Sequence, residues 1–76
     1  LVFASTEKAQ KTVYETDFRE PCAIVMGNEE TGISKEVLHH SDEKIKLPIE
    51  GKTQSLNVSV ACGAVLYEVL RQRIIN

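Results

Sequence analysis

Three short apolar runs, each bounded by turn residues, restrict this chain more than any other feature of its sequence. Leu1–Ala4 opens it, Ala23–Met26 reads AIVM between Pro21 and Gly27, and Lys44–Leu47 reads KIKL and is stopped by Pro48. A strand with one wet face alternates apolar and polar residues, whereas a continuous apolar run suits a strand covered on both faces, as in a parallel sheet. Parallel neighbours cannot be joined by tight hairpins, so the segments between these runs must cross over, usually as helices.

The intervening segments fit that requirement. Thr6–Glu15 is rich in helix formers, with Ala9 and Val13 four residues apart, and predicts a first helix. Lys35–His40 follows Ser34, a candidate N-cap, and carries Glu36 in its first turn, where the helix dipole favours an acid. The last segment has the strongest pattern. Val58, Ala61, Cys62, Val65, Leu66, Val69 and Leu70 recur at helical spacing, Asn57 precedes them as a cap, and Arg71 and Arg73 stand at the end that favours cations. The order β-α-β-α-β-α predicts an α/β fold, a parallel sheet flanked by helices.

That order also locates a site. In open α/β sheets, ligands lie outside the carboxyl ends of the strands. Ser5-Thr6, GNEETG (residues 27–32) and the connection from Pro48 to Asn57 all reach that edge. The last of these is longer than such connections usually are and holds Gly51, Thr53, Gln54 and Ser55.

With 76 residues, the chain forms one small domain or part of one. A chain of this size buries only about 60–65% of its unfolded surface and is marginal alone. It begins in mid-strand without a Met, so it is expected to be a piece of a longer protein. The net charge of −2 argues against a general nucleic-acid surface. Lys44, Lys46, Lys52, Arg71 and Arg73 nevertheless concentrate in the second half, either as a solvated rim or as RNA contacts. Cys22 and Cys62 sit apart among apolar neighbours and are expected to be buried, reduced thiols, which suits a cytoplasmic protein. His39 and His40 are adjacent and point about 100° apart on a helix, so no metal site is expected from them. No apolar run is long enough to predict a membrane span.

The segment GNEETGIS (residues 27–34) nearly matches a P-loop, with both glycines and the serine at the right offsets. Ile33 occupies the lysine position, however, and Glu29 and Glu30 would repel a phosphate. No G-x-G-x-x-G, nucleophile–base set or metal cluster is present, and adjacent Glu29 and Glu30 face different ways. What remains is a loop of backbone donors and acceptors with one or two carboxylates. It suits a ligand without phosphate that carries an adenine edge, ribose hydroxyls or positive charge. S-adenosylmethionine has all three.

IVMGNEETGIS (residues 24–34) resembles the second signature of the SpoU branch of the SPOUT RNA 2′-O-ribose methyltransferases, a strand followed by G-x-E-x-x-G. IKLPIEGKTQSLNVSVACGAVLYEVLRQR (residues 45–73) resembles the third, with its S-L-N-V-S core and Y-E-x-x-R-Q-R tail. The resemblance implies the C-terminal part of an α/β knot domain, tied in a deep trefoil, an exception to the rule against threaded chains. It implies a homodimer, S-adenosyl-L-methionine as cofactor and RNA as substrate, with tRNA favoured over rRNA by the residues flanking the motifs. Gly27, Leu47, Pro48, Ser55 and Leu56 match cofactor-binding positions, and Thr6, with Ser5, borders the adenosine. Glu29, Ser55 and Asn57 match the family's catalytic centre.

Methyl transfer needs the ribose oxygen held in line with the sulfonium methyl and a group to handle the hydroxyl proton. Asn57 and Ser55 can donate hydrogen bonds, and Glu29 can accept a proton. The same residues also suit simpler roles, as turn, N-cap and surface carboxylate. The family's first signature, an Asn with a downstream Arg, has no candidate in this sequence, so the chain alone is expected to be catalytically incomplete. The alternative is a non-catalytic RNA-binding or dimerisation module on the same scaffold.

Overall fold

The computed structural model describes residues 1–28, 31–48 and 57–75. Three strands form one parallel sheet: β1 (Val2–Ser5), β2 (Ala23–Val25) and β3 (Glu43–Ile45), in the order β2-β1-β3. The central strand β1 aligns Val2 with Ala23 on one side and Phe3 with Glu43 on the other. Phe3 and Ala4 are fully buried, as the apolar opening run requires. Beyond the strand ends, Thr6 N–H donates to Ile45 O (2.8 Å), so β1 and β3 stay paired up to the edge. Asp42 ties off the other end, accepting from Val2 N–H at 2.6 Å and donating its own N–H to Val2 O at 2.8 Å.

Two α-helices follow the expected caps. Helix α1 (Lys35–His40) is capped by Ser34, whose Oγ accepts from Val37 N–H at 3.2 Å. Helix α2 (Val58–Ile74) is capped by Asn57, whose Oδ1 accepts from Ser59 N–H at 2.9 Å. The predicted helix over Thr6–Glu15 does not form. Only a 3₁₀ turn, Val13–Glu15, appears there. The reason is a competing set of backbone partners: Val13 N–H donates to Lys46 O (2.9 Å), and Lys46 N–H donates to Lys11 O (3.0 Å). These bonds extend the sheet edge past β3 and hold the segment extended at Thr12, which bridges to Lys46.

The core lies between the sheet, this segment and α2: Phe3, Val13, Phe18, Ile45, Val65 and Val69. Phe3 and Phe18 meet edge to face with centroids 5.0 Å apart, the arrangement that ring quadrupoles favour. Three expectations need correction. Strand β3 is not covered on both faces, because Lys44 is exposed beside buried Ile45. Cys22 and Cys62 are free thiols but only half-buried. Leu66 and Leu70, predicted to face inward, are about half exposed at 51% and 48%, while Glu68 is buried at 6%. The helix meets the core along Val65, Glu68, Val69 and Gln72, a line rotated from the apolar stripe.

Candidate functional site

A cavity of about 400 Å³ opens where the three strands end. Ser5, Thr6 and Glu7 leave β1 along one wall. Met26, Gly27 and Asn28 leave β2, with Gly32 and Ile33 returning beside them. Lys46 and Leu47 follow β3, and Asn57, Val58 and Ala61 bring the first turns of α2 to the mouth. The volume is within the range of small-molecule sites, and the lining mixes apolar side chains with convergent polar groups. A second cavity of similar size lies alongside. It shares Thr6, Glu7, Gly32 and Ile33 with the first and adds Lys8, Thr31 and Leu38.

The glycine loop is shaped by its own backbone. Asn28 and Gly32 pair across it, with Gly32 N–H donating to Asn28 O (2.8 Å) and Asn28 N–H to Gly32 O (3.3 Å). Gly32 has φ of +70°, a conformation L side chains rarely adopt. A Cβ on Gly27 would stand 2.9 Å from Gly32 C and 3.0 Å from Ile33 Cγ1. Gly27 is therefore required by the close approach of the loop's two arms, whatever the cavity holds. The chain then runs through Ile33 to the Ser34 cap, so the loop and α1 are built as one unit.

Of the residues singled out from the sequence, Thr6, Gly27, Leu47 and Asn57 come together around this cavity, and Ser5 lies with them. Pro48 is exposed and is not among the described lining residues. Glu29, Ser55 and Leu56 lie outside the described residues, as does Lys52. Asn57 is an N-cap as well as a cavity residue, so its two readings are not exclusive. Sequence reasoning did not select Glu7, Met26, Ile33 or Ala61, and it weighed Lys46 only as a rim residue or an RNA contact, not as part of this cavity. Met26 and Lys46 were available as strand-end residues, and Ala61 as the residue one helical turn after Asn57. Glu7 and Ile33 carry no comparable signal.

The far end of α2 is anchored by polar contacts. Gln72 accepts from Phe18 N–H (2.7 Å) through Oε1 and donates to Thr16 O (2.7 Å) and Glu68 Oε2 (2.9 Å) through Nε2. Arg71 donates two bonds to Glu68, at 2.8 and 2.9 Å. These bonds, first from Arg71 and then from Gln72, hold the Glu68 carboxyl down at about 2. Arg73 donates to the carbonyls of Phe18 (3.1 Å) and Glu20 (2.9 Å). The two arginines are thus engaged with the fold.

Comparison with known proteins gives this geometry a context. The model of the SpoU rRNA Methylase family matches residues 1–67. A tRNA (guanosine(18)-2′-O)-methyltransferase of Aquifex aeolicus is 51% identical over 59 residues, 78% of this chain and 28% of that protein. A 23S rRNA (guanosine-2′-O-)-methyltransferase, RlmB, of Pseudomonas aeruginosa is 43% identical over 72 residues, 95% of this chain and 29% of that protein. Among solved structures, the SpoU methyltransferase AviRb from Streptomyces viridochromogenes, in complex with its cofactor AdoMet, superposes with a TM-score of 0.94 at 33% identity. That match covers all of this chain (100%) and 30% of AviRb. The chain therefore spans under a third of the length of these relatives. On the family match over most of its length and the shared parallel α/β architecture, the chain belongs to the SpoU rRNA methylase family.

Proposed function

We propose that this chain is the cofactor-binding part of a longer enzyme that methylates a ribose 2′-hydroxyl of RNA, with S-adenosylmethionine as donor. The observation that carries this reading is the cavity at the strand ends, where Thr6, Gly27, Leu47 and Asn57 meet. Its donor set fits a nucleoside with a positive centre. Met26, Ile33 and Val58 offer apolar surface, Glu7 supplies a carboxylate, and the loops supply backbone groups. Bound there, the cofactor supplies an electrophilic sulfonium methyl.

In this reading Thr6, Gly27, Leu47, Pro48, Ser55 and Leu56 hold the cofactor. Glu29, Ser55 and Asn57 face the ribose hydroxyl, where Glu29 takes or orients the proton and Asn57 steadies the oxygen. Holding the reacting atoms in line supplies much of the rate. A trefoil knot in the C-terminal part of the domain belongs to the same reading, as does a homodimer. The exposure of Leu66, Tyr67, Leu70 and Ile74 on α2 supports a covering partner. The preferred substrate is tRNA, supported by the 51% identity to the Aquifex tRNA enzyme.

The test is calorimetry of the full-length protein with S-adenosylhomocysteine, followed by methylation of tRNA and rRNA transcripts. Cofactor binding and ribose methylation of tRNA are expected. Absence of binding at millimolar ligand would refute the enzymatic reading and favour a non-catalytic module.

A further inference from the structure

The described cations fall into two classes. Lys11 pairs with Glu43 (3.2 Å), Arg19 with Asp17 (2.8 Å) and Arg71 with Glu68 (2.8 Å), and Arg73 is taken by two carbonyls. Lys8, Lys35, Lys44 and Lys46 have no carboxylate at ion-pair distance among the described residues. Of these four, Lys46 lines the first cavity and Lys8 the second, two cavities that share four lining residues, whereas Lys35 and Lys44 line neither. Glu15 is an acid that acts on Lys46 across space, and its carboxylate is already engaged by Thr12 N–H and Oγ1, both at 3.0 Å. Glu7 is the only carboxylate among the described lining residues. It disfavours a phosphate within the cavities, so phosphates are better placed beyond it, at the rims.

One nucleotide in a strand carries a complementary charge pattern. Any internal ribose carries a phosphate on its 5′ side and another on its 3′ side. A ribose presented to the cavity brings two anions to its borders. We propose that Lys8 and Lys46 hold the two backbone phosphates flanking the target ribose of a bound RNA strand, while Arg71 and Arg73 serve the fold. The proposal rests on the cavity's assignment to methyl transfer given above, and it extends that assignment to the substrate's backbone. Contacts of this kind position the strand without reading its sequence.

The experiment measures the affinity of the full-length protein for a fluorescein-labelled, unmodified tRNA transcript from about 50 to about 200 mM KCl. Each phosphate contact with a single strand contributes about 0.7 to the slope of log K against log salt. The double variant Lys8→Gln/Lys46→Gln is expected to flatten that slope by about 1.4. Arg71→Gln and Lys44→Gln are expected to leave it as in the wild type, with Arg71→Gln showing a lower melting temperature. An unchanged slope in the double variant overturns the proposal, and so does an equal flattening in Arg71→Gln. S-adenosylhomocysteine affinity is read in parallel. If the double variant loses it in proportion to RNA affinity, the lysines serve the cofactor and the proposal fails. If the wild type binds the cofactor analogue normally and only the slope prediction fails, the methyltransferase reading stands.

Discussion

Replacing Gln72 with Leu tests whether the end of α2 is held by its amide. The substitution keeps an apolar stem of similar volume but removes three hydrogen bonds, to Phe18 N–H, Thr16 O and Glu68. Phe18 is fully buried and Thr16 nearly so, so their backbone groups have restricted access to water. A buried group left unpaired costs about 1–3 kcal/mol, and a net hydrogen bond about 1 kcal/mol. Taking the lower end for two half-shielded backbone groups and one bond to Glu68 gives about 3 kcal/mol. For a domain of about 150–250 residues this corresponds to a fall in Tm of about 6–12 °C. Differential scanning calorimetry of the full-length protein measures it. Gln72→Glu sharpens the test, because it keeps the acceptor for Phe18 N–H but sets a second carboxylate beside Glu68 and the Thr16 carbonyl. Its deficit relative to wild type should shrink as the pH falls and a proton restores the donor, whereas the Leu variant's deficit should stay constant above about pH 4.5, where Glu68 is ionised in both the folded and the unfolded chain. A Tm for Gln72→Leu within about 2 °C of wild type would refute the clamp.

Three further outcomes follow from the same coordinates. The Glu68 carboxyl lies at about 2 in the fold, below its unfolded value, so its contribution to stability is complete above about pH 4.5 and is lost as pH falls towards 2. Glu68→Gln should abolish that part of the acid dependence of Tm. Gly27→Ala forces apart the arms of the glycine loop, since its Cβ would stand 2.9 Å from Gly32 C. Calorimetry should show S-adenosylhomocysteine binding weakened by about tenfold or more, equivalent to about 1.4 kcal/mol. Asn57→Ala should cost about 1 kcal/mol as a lost cap, whereas Asn57→Ser retains a capping oxygen. If Asn57 also acts on the ribose hydroxyl, the Ser variant is stable yet loses methyl transfer. Activity that tracks stability in both variants leaves Asn57 as a cap alone.

The parts of the fold legible in the sequence are those whose causes are local. Ser34 and Asn57 announce α1 and α2 because a cap is a bond between residues two or three apart. The strands appear within a residue or two of their apolar runs, and their parallel order follows from having crossovers between them. Thr6–Glu15 was misread because its fate is decided elsewhere. Ala9 and Val13 are both buried, as a helix would have made them, but Lys46 captures Val13 N–H and Lys11 O. No pattern within the segment encodes a partner so distant in the chain. The site was legible at the strand ends for a topological reason: parallel strands end together, so their loops must meet.

The tail of α2 shows how local and distant causes combine. Glu68 with Arg71 and Gln72 is an i, i+3 and i, i+4 set, visible from spacing alone and ordinarily read as a solvated face. Here the set is turned inward, because the amide of Gln72 fits the backbone between Thr16 and Phe18 and the guanidinium of Arg73 fits the next carbonyls along. A buried carboxylate is tolerable only with its donors in place, so Glu68 engages Arg71, whose side chain stays about half exposed at the rim of the network. The basic tail therefore has much of its charge committed before any substrate arrives. On the proposed reading, positive charge for an RNA substrate comes from described cations outside these ion pairs, and of those Lys8 and Lys46 border the cavities.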